Sequence, residues 1–91
     1  MNKETINLLS YVRRSKHREK ILLAFDNNVL MPSDISKKTD MRPTHVSRAL
    51  KDLKGCHLVE CLNEKETRGR LFEITDMGNE ILKEIKKIKN K

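Results

Sequence analysis

Pro32-Ser-Asp-Ile-Ser-Lys-Lys-Thr39, Asp40-Met41-Arg42 and Pro43-Thr-His-Val-Ser-Arg-Ala-Leu-Lys-Asp-Leu-Lys54 follow one another without interruption. The last of these stretches carries the clearest periodic signal in the chain. Val46, Ala49, Leu50 and Leu53 recur at i, i+3, i+4 and i+7, the spacing of one buried helical stripe. Pro43 suits the first helical position, where a missing N–H costs nothing. The spacing therefore predicts a helix over about 43–54. Before it, Pro32 favours an extended residue on its N-terminal side. Ser33 reads as an N-cap with Asp34 in the first turn. A short helix then runs to about Lys38 and buries Ile35, with Thr39-Asp40-Met41 as the turn and Met41 as its apolar plug. Helix, tight turn and helix is the arrangement in which a first helix braces a second.

Working outward, Gly55-Cys56-His57 reads as a helix break. Leu58 to Leu62 is strand-like, Asn63 to Gly69 is a charged loop, and Leu71 to Ile74 is a second strand with Phe72 and Ile74 on one face. Thr75 or Asp76 caps a last helix with a stripe of Ile81, Leu82, Ile85 and Ile88. Upstream, Ile6, Leu9 and Val12, with Leu8 beside them, mark a helix over Lys3 to Arg13. Arg13 and Arg14 suit its negative C-terminal end. Ser15 caps a second helix running to about Phe25, with Glu19 in its first turn and Ile21, Leu22, Ala24 and Phe25 on its buried face. Asp26-Asn27-Asn28 ends it, and Val29-Leu30-Met31 is a very short extended piece. The fold class is mainly α (α+β). It is a winged helix-turn-helix with a two-stranded β-hairpin wing and extra N- and C-terminal helices. One domain spans 1–91, with a recognition helix at about 43–54, a wing at about 58–75 and a C-terminal helix at about 76–89.

The helix over 43–54 has a chemistry of its own. With the apolar stripe turned inward, the opposite face holds Thr44, Arg48 and Lys51, flanked by His45 and Ser47. None is acidic, and Asp52 falls to the side. The major groove of B-form DNA admits one α-helix. Thr44 and Ser47 suit phosphates or base edges. Arg48 suits a bidentate contact with guanine O6 and N7, and Lys51 a phosphate. Arg42 lies at the start of the same helix. In the hairpin loop Lys65, Arg68 and Arg70 are candidates for backbone or minor-groove contact. The bland alternatives are a merely solvated helix face, and a loop whose Glu66 and Arg68, or Glu64 and Arg70, pair with each other.

Charge agrees with an anionic partner. The net charge is +7 in 91 residues, with a pI near 9.7. Residues 42–55 carry Arg42, Arg48, Lys51 and Lys54 against Asp52 alone. The lysine-rich tail Lys86 to Lys91 is a solvated end or a loose phosphate contact. One Tyr, two Phe and no Trp leave little aromatic surface for stacking single-stranded bases. There is no apolar run long enough to cross a bilayer and no signal-peptide pattern, which points to a cytoplasmic protein without a membrane partner. No glycine-rich phosphate loop or paired-carboxylate setting is present, and His17, His45 and His57 lie on different elements without ligand spacing. Neither an enzyme, a cofactor nor a metal is expected. Cys56 and Cys61 lack CxxC spacing and read as reduced, partly buried thiols.

The runs at 32–39, His45-Val-Ser-Arg-Ala-Leu-Lys-Asp-Leu53, Leu58-Val-Glu-Cys-Leu62 and Leu71-Phe-Glu-Ile-Thr-Asp-Met-Gly78 resemble small winged-helix regulators common in archaea, similar to the MarR and ArsR groups. The resemblance covers about Ser15 to Leu82. It implies that Thr44, His45, Ser47 and Arg48 fall in the recognition helix, that Arg68 stands where the MarR group has its wing arginine, and that Glu66 stands where that arginine's aspartate partner sits. The chain departs from the pattern at His57, where glycine is usual, and in Glu66-x-Arg68, where Asp-x-Arg is usual. His57 implies a left-handed backbone that histidine tolerates better than most residues.

The function implied is a sequence-specific, double-stranded DNA-binding transcriptional regulator. A protein-interaction module of the same fold and a thiol- or metal-responsive regulator are the alternatives. The terminal helices offer a homodimer interface through Ile6, Leu9, Val12, Ile81, Ile85 and Ile88. A chain this short gains from such added burial.

Overall fold

The computed structural model describes residues 2–26 and 28–89. The expected turn residue Asn27 and the tail residues 90 and 91 lie outside the described residues. Five helices and a two-stranded antiparallel sheet follow in the order α1 (Lys3–Arg13), α2 (Lys16–Phe25), α3 (Pro32–Thr39), α4 (Pro43–Gly55), β1 (Val59–Cys61), β2 (Phe72–Ile74) and α5 (Asp76–Lys89). The order is that of a winged helix-turn-helix.

The helix starts follow from their caps. The Asn2 side chain accepts from Thr5 N–H at 2.8 Å, and Ser15 Oγ from Arg18 N–H at 3.3 Å. α3 begins two residues earlier than expected. Pro32 is its first helical residue, and the capping acceptor is Asp34, whose carboxylate takes the Met31 N–H at 3.0 Å, not Ser33. Thr75 caps α5, its Oγ1 accepting from Gly78 N–H at 3.0 Å.

The core is one aliphatic cluster at the centre of the helices. Val46 and Leu53 of α4 are fully buried, with Ala49 and Leu50 nearly so, against Ile21, Leu22 and Phe25 of α2 and Ile35 of α3. Burying one such Val, Leu or Ile side chain stabilises by about 1.5–3 kcal/mol. Met41 plugs the turn between α3 and α4 as expected. That turn passes through Asp40 at φ 56°, and Asp26 after α2 takes φ 37°. Aspartate is among the residue types that tolerate this region.

The terminal helices require a correction. Val12, Ile81 and Ile85 are fully buried inside the chain, so they belong to its own core and have no surface to share with a second copy. On α1 the inward direction is set by Thr5, Leu8 and Val12. Ile6 lies roughly 100° from Thr5 around the helix axis and is 49% exposed. Ile88 continues the α5 stripe past the last core layer and is 39% exposed, while Leu9 is half-buried.

The end of α4 follows the expectation: the helix stops at Gly55, and the left-handed residue is His57, at φ 63°. Its N–H donates to Lys54 O and the Leu58 N–H to Leu53 O, both at 3.0 Å. This pair of bonds is the Schellman termination, here with histidine where glycine is commonest. The chain then enters β1, which pairs with β2 in the register Val59 to Ile74, Glu60 to Glu73 and Cys61 to Phe72. The strands are shorter than the expected 58–62 and 71–74. Leu30 adds a bridge to Phe72, with both bonds at 2.9 Å, which seats the hairpin base beside the start of α3.

Gly78 sits where a side chain has no room: a Cβ there would lie 2.1 Å from the Leu58 carbonyl oxygen. Gly78→Ala is expected to lower the unfolding free energy by about 1–3 kcal/mol. Gly55→Ala, with open space around its Cβ, is expected to raise it by up to about 1 kcal/mol. Urea denaturation of both variants distinguishes the sites, and equal stabilities contradict the packing described.

Candidate nucleic-acid interface

The α4 stripe faces inward, so its other residues face out. Arg42, Thr44, His45, Ser47, Arg48 and Lys51 are all exposed. Asp52, the one carboxylate of α4, is turned to the side and paired with Arg18 at 3.6 Å. Arg18 also lies 3.9 Å over the Tyr11 ring and donates to the Tyr11 carbonyl through Nε at 3.0 Å and Nη2 at 2.6 Å. One guanidinium thus ties α1, α2 and α4 together and removes the negative charge from the face.

The wing stands on the opposite flank of α4. Leu62 N–H donates to Leu71 O at 2.8 Å, extending the hairpin past the strands. Asn63 closes the neck of the loop. Its Oδ1 accepts from Leu71 N–H at 2.7 Å, and its Nδ2 donates to Gly69 O at 3.1 Å. Gly69 takes φ 65°, the turn expected there. Lys65, Arg68 and Arg70 are exposed on this loop.

The loop's own charges do not pair as either bland alternative supposed. Glu64 reaches across to Lys54 at the end of α4, and Arg70 Nε donates to the Glu66 backbone carbonyl at 2.8 Å. The wing is therefore tied to the helix beside it. Between them lies a cleft of about 390 Å³, lined by Ser47, Leu50, Lys51 and Lys54 of α4, Arg70 and Phe72 of the hairpin, and Pro32. Three cations rim an apolar floor, a shape and charge that suit a passing phosphate strand.

Asn63, Lys54 and Arg18 were not singled out by sequence reasoning. Asn63 carries a turn-forming residue type; Lys54 and Arg18 carry no local signal, because their partners are distant in the chain. His17 and His45, read as unrelated, stack with ring centroids 4.5 Å apart and planes at 23°. Among the described residues no three His, Cys, Asp or Glu side chains come together as a metal site. Cys56 and Cys61 are both free. Burial pushes the Cys56 thiol above its ordinary range, which disfavours the reactive thiolate.

The Lys54 ammonium, by hydrogen bond and by charge, holds the Glu64 carboxyl below its ordinary range, and Arg70 adds a smaller pull the same way. A lowered value means the tie is complete above the ordinary glutamate range and is lost as pH falls through the lowered value. By NMR, the Glu64 side-chain carboxyl carbon is expected to titrate below the ordinary glutamate midpoint of about 4.3, and Lys54→Met to return it there. An ordinary midpoint in the parent protein contradicts the tie.

No family model matches the chain, and no curated protein matches it by sequence. Solved structures do share its fold. TubR from Bacillus thuringiensis serovar israelensis, in a complex with 24 bp of tubC, superposes with a TM-score of 0.78 at 14% identity, covering 96% of this chain and 95% of TubR. A MarR family transcription regulator gives 0.75 at 18% identity, over 91% of this chain and 61% of that one. ZitR of Lactococcus lactis in complex with DNA gives 0.65 at 24% identity, over 74% of this chain and 47% of ZitR. The chain thus spans nearly all of TubR but about half the length of ZitR. At these identities the likeness is one of fold, and the fold shared with these regulators is the winged helix-turn-helix.

Proposed function

We propose that the chain is a sequence-specific regulator that binds double-stranded DNA, with α4 in the major groove and the wing on the backbone or in the minor groove. The observation that carries this reading is the outward face of α4. Five residues that can contact phosphates or bases stand exposed on α4, with Arg42 at its N-cap and no carboxylate among them. The wing cations Lys65, Arg68 and Arg70 extend it to one side. The solved neighbours support the reading, since TubR and ZitR were both determined with DNA. The sequence likeness to the MarR and ArsR groups, and to their archaeal members in particular, points the same way. Among the described residues no helix is long and apolar enough to cross a membrane, in keeping with the proposed cytoplasmic placement.

Within this reading Arg48 reads bases, while Lys51 holds the backbone. Arg48→Ala is expected to cost about 1–3 kcal/mol on the preferred duplex and to relax base preference. Lys51→Ala is expected to weaken all sequences alike and to lower the salt slope by about one. Duplexes selected from a random library, followed by binding titrations at several salt concentrations, measure both. If both variants bind as the parent does at low salt, α4 is not the reading helix.

The proposed homodimer now rests on Ile6 and Ile88, with Leu9 half-buried between core and surface. A two-fold pair presents two α4 helices about 34 Å apart, matched to a near-palindrome. Sedimentation is expected to show a dimer in the parent protein and a monomer in the Ile6→Asp, Ile88→Asp double variant. A monomeric parent at high concentration removes the dimer from the proposal.

A further inference from the structure

Three of the five exposed large apolar side chains among the described residues lie on one surface: Val29 at 45%, Leu62 at 48% and Leu71 at 36% exposed. The sheet register explains why. β1 and β2 turn Val59, Cys61, Phe72 and Ile74 toward the core, so Glu60 and Glu73 point the other way. Leu62 and Leu71, the next alternate pair along the hairpin, share that outward face. The bridge from Leu30 to Phe72 adds a third chain segment. Leu30 is buried, which places Val29 beside Glu73 and Met31 beside Leu71 on the outward side. The face is thus two rows across three segments. One row is Met31, Leu71 and Leu62; the other is Val29, Glu73 and Glu60. Apolar side chains exposed singly are ordinary, but a contiguous group marks a surface that meets something.

The two carboxylates decide what covers it. Glu60 and Glu73 are directly opposed in the ladder, with Cβ atoms about 5 Å apart, an arrangement that disfavours strand pairing. No ion pair among the described residues uses either one. In a chain of net charge +7 this is a local negative patch. It repels a DNA phosphate or an anionic lipid surface. The same face of a second copy would bring two such opposed pairs together. A cationic partner instead relieves the opposition while the apolar row is buried. The dimensions suit a helix. Paired strands lie about 4.8 Å apart, so the apolar row is about 10 Å long. Residues i, i+4 and i+7 of a helix span about the same length, roughly 10.5 Å.

We propose that this outward sheet face docks an amphipathic helix of a partner protein. The apolar stripe of that helix lies on Met31, Leu71 and Leu62, and lysines or arginines along one side of the stripe meet Glu73 and Glu60. The inference goes beyond the DNA-binding reading and does not rest on it. Its residues are distinct from those assigned to the duplex.

The test is fluorescence anisotropy with a labelled, alanine-rich synthetic helix of about four turns. It carries leucines at i, i+4 and i+7 and lysines along one side, and is compared with the same helix bearing glutamates in place of the lysines. The parent protein is expected to bind the lysine peptide and not the glutamate peptide. The Leu62→Ser, Leu71→Ser double variant is expected to lose about tenfold in affinity, the share of two leucines already half-buried in the free protein. The Glu60→Gln, Glu73→Gln double variant is expected to lose the preference for lysine. It should nonetheless unfold at an equal or higher urea concentration than the parent, because the opposed charges are gone. Both double variants are expected to keep the parent's affinity for a duplex. Equal binding of the two peptides by the parent, binding of neither, or a leucine double variant that binds as the parent does overturns the inference. Loss of duplex affinity in the double variants assigns the face to DNA, and a change in their oligomeric state by sedimentation assigns it to a second copy. Either result overturns the inference as well.

Discussion

The angle between α4 and the hairpin is set at one small knot, and every statement about the interface depends on it. The Leu58 carbonyl accepts the Thr75 N–H at 3.0 Å, and Thr75 Oγ1 donates to the neighbouring His57 carbonyl at 2.7 Å. The same hydroxyl caps α5, whose Gly78 packs directly against the Leu58 carbonyl. The end of α4, the start of β1, the end of β2 and the start of α5 are thus joined within a few residues. A left-handed turn at His57 is what allows the chain to reach this point. A side chain at 78 or a different backbone at 57 re-aims the wing relative to the helix beside it.

Two further ties hold the same helix. Arg18 fixes its inner flank through Asp52, and Lys54 holds the wing through Glu64. A surface arranged before a ligand arrives loses less conformational freedom on binding than one that must be ordered by it. The exposed Lys54–Glu64 pair contributes little to stability by itself. Its consequence is positional, because it keeps Arg70 and the cleft beside Lys51 on the same side of the molecule as the outward face of α4.

Much of this architecture was legible in the residues. The four-residue stripe of α4 has only one helical solution, and its burial decides which side chains face out. Ser15, Pro43 and Thr75 mark helix starts because their chemistry works at few other positions. The misreadings have physical causes. Ser33 looked like the cap of α3 because serine is a common N-cap type, but the helix starts earlier and Asp34 reaches back to the Met31 N–H. Ile6 and Val12 share a narrow stripe in sequence, yet the packing of α1 is centred on Thr5, Leu8 and Val12, which leaves Ile6 outside and takes Val12 in. The wing pairings were missed because the partners of Glu64 and Arg70 are a lysine on another element and a backbone carbonyl. Local charge spacing reports neither. The stacking of His17 on His45 spans two helices and has no signature along the chain at all.

The account stands on the outward face of α4 meeting the duplex, and amide chemical-shift mapping during titration with a selected duplex tests this most directly. The account predicts the largest changes at Thr44 to Lys51, with a second group in the loop at 64–70. Changes confined to α1 and α5, with the α4 amides unmoved at saturation, would contradict it.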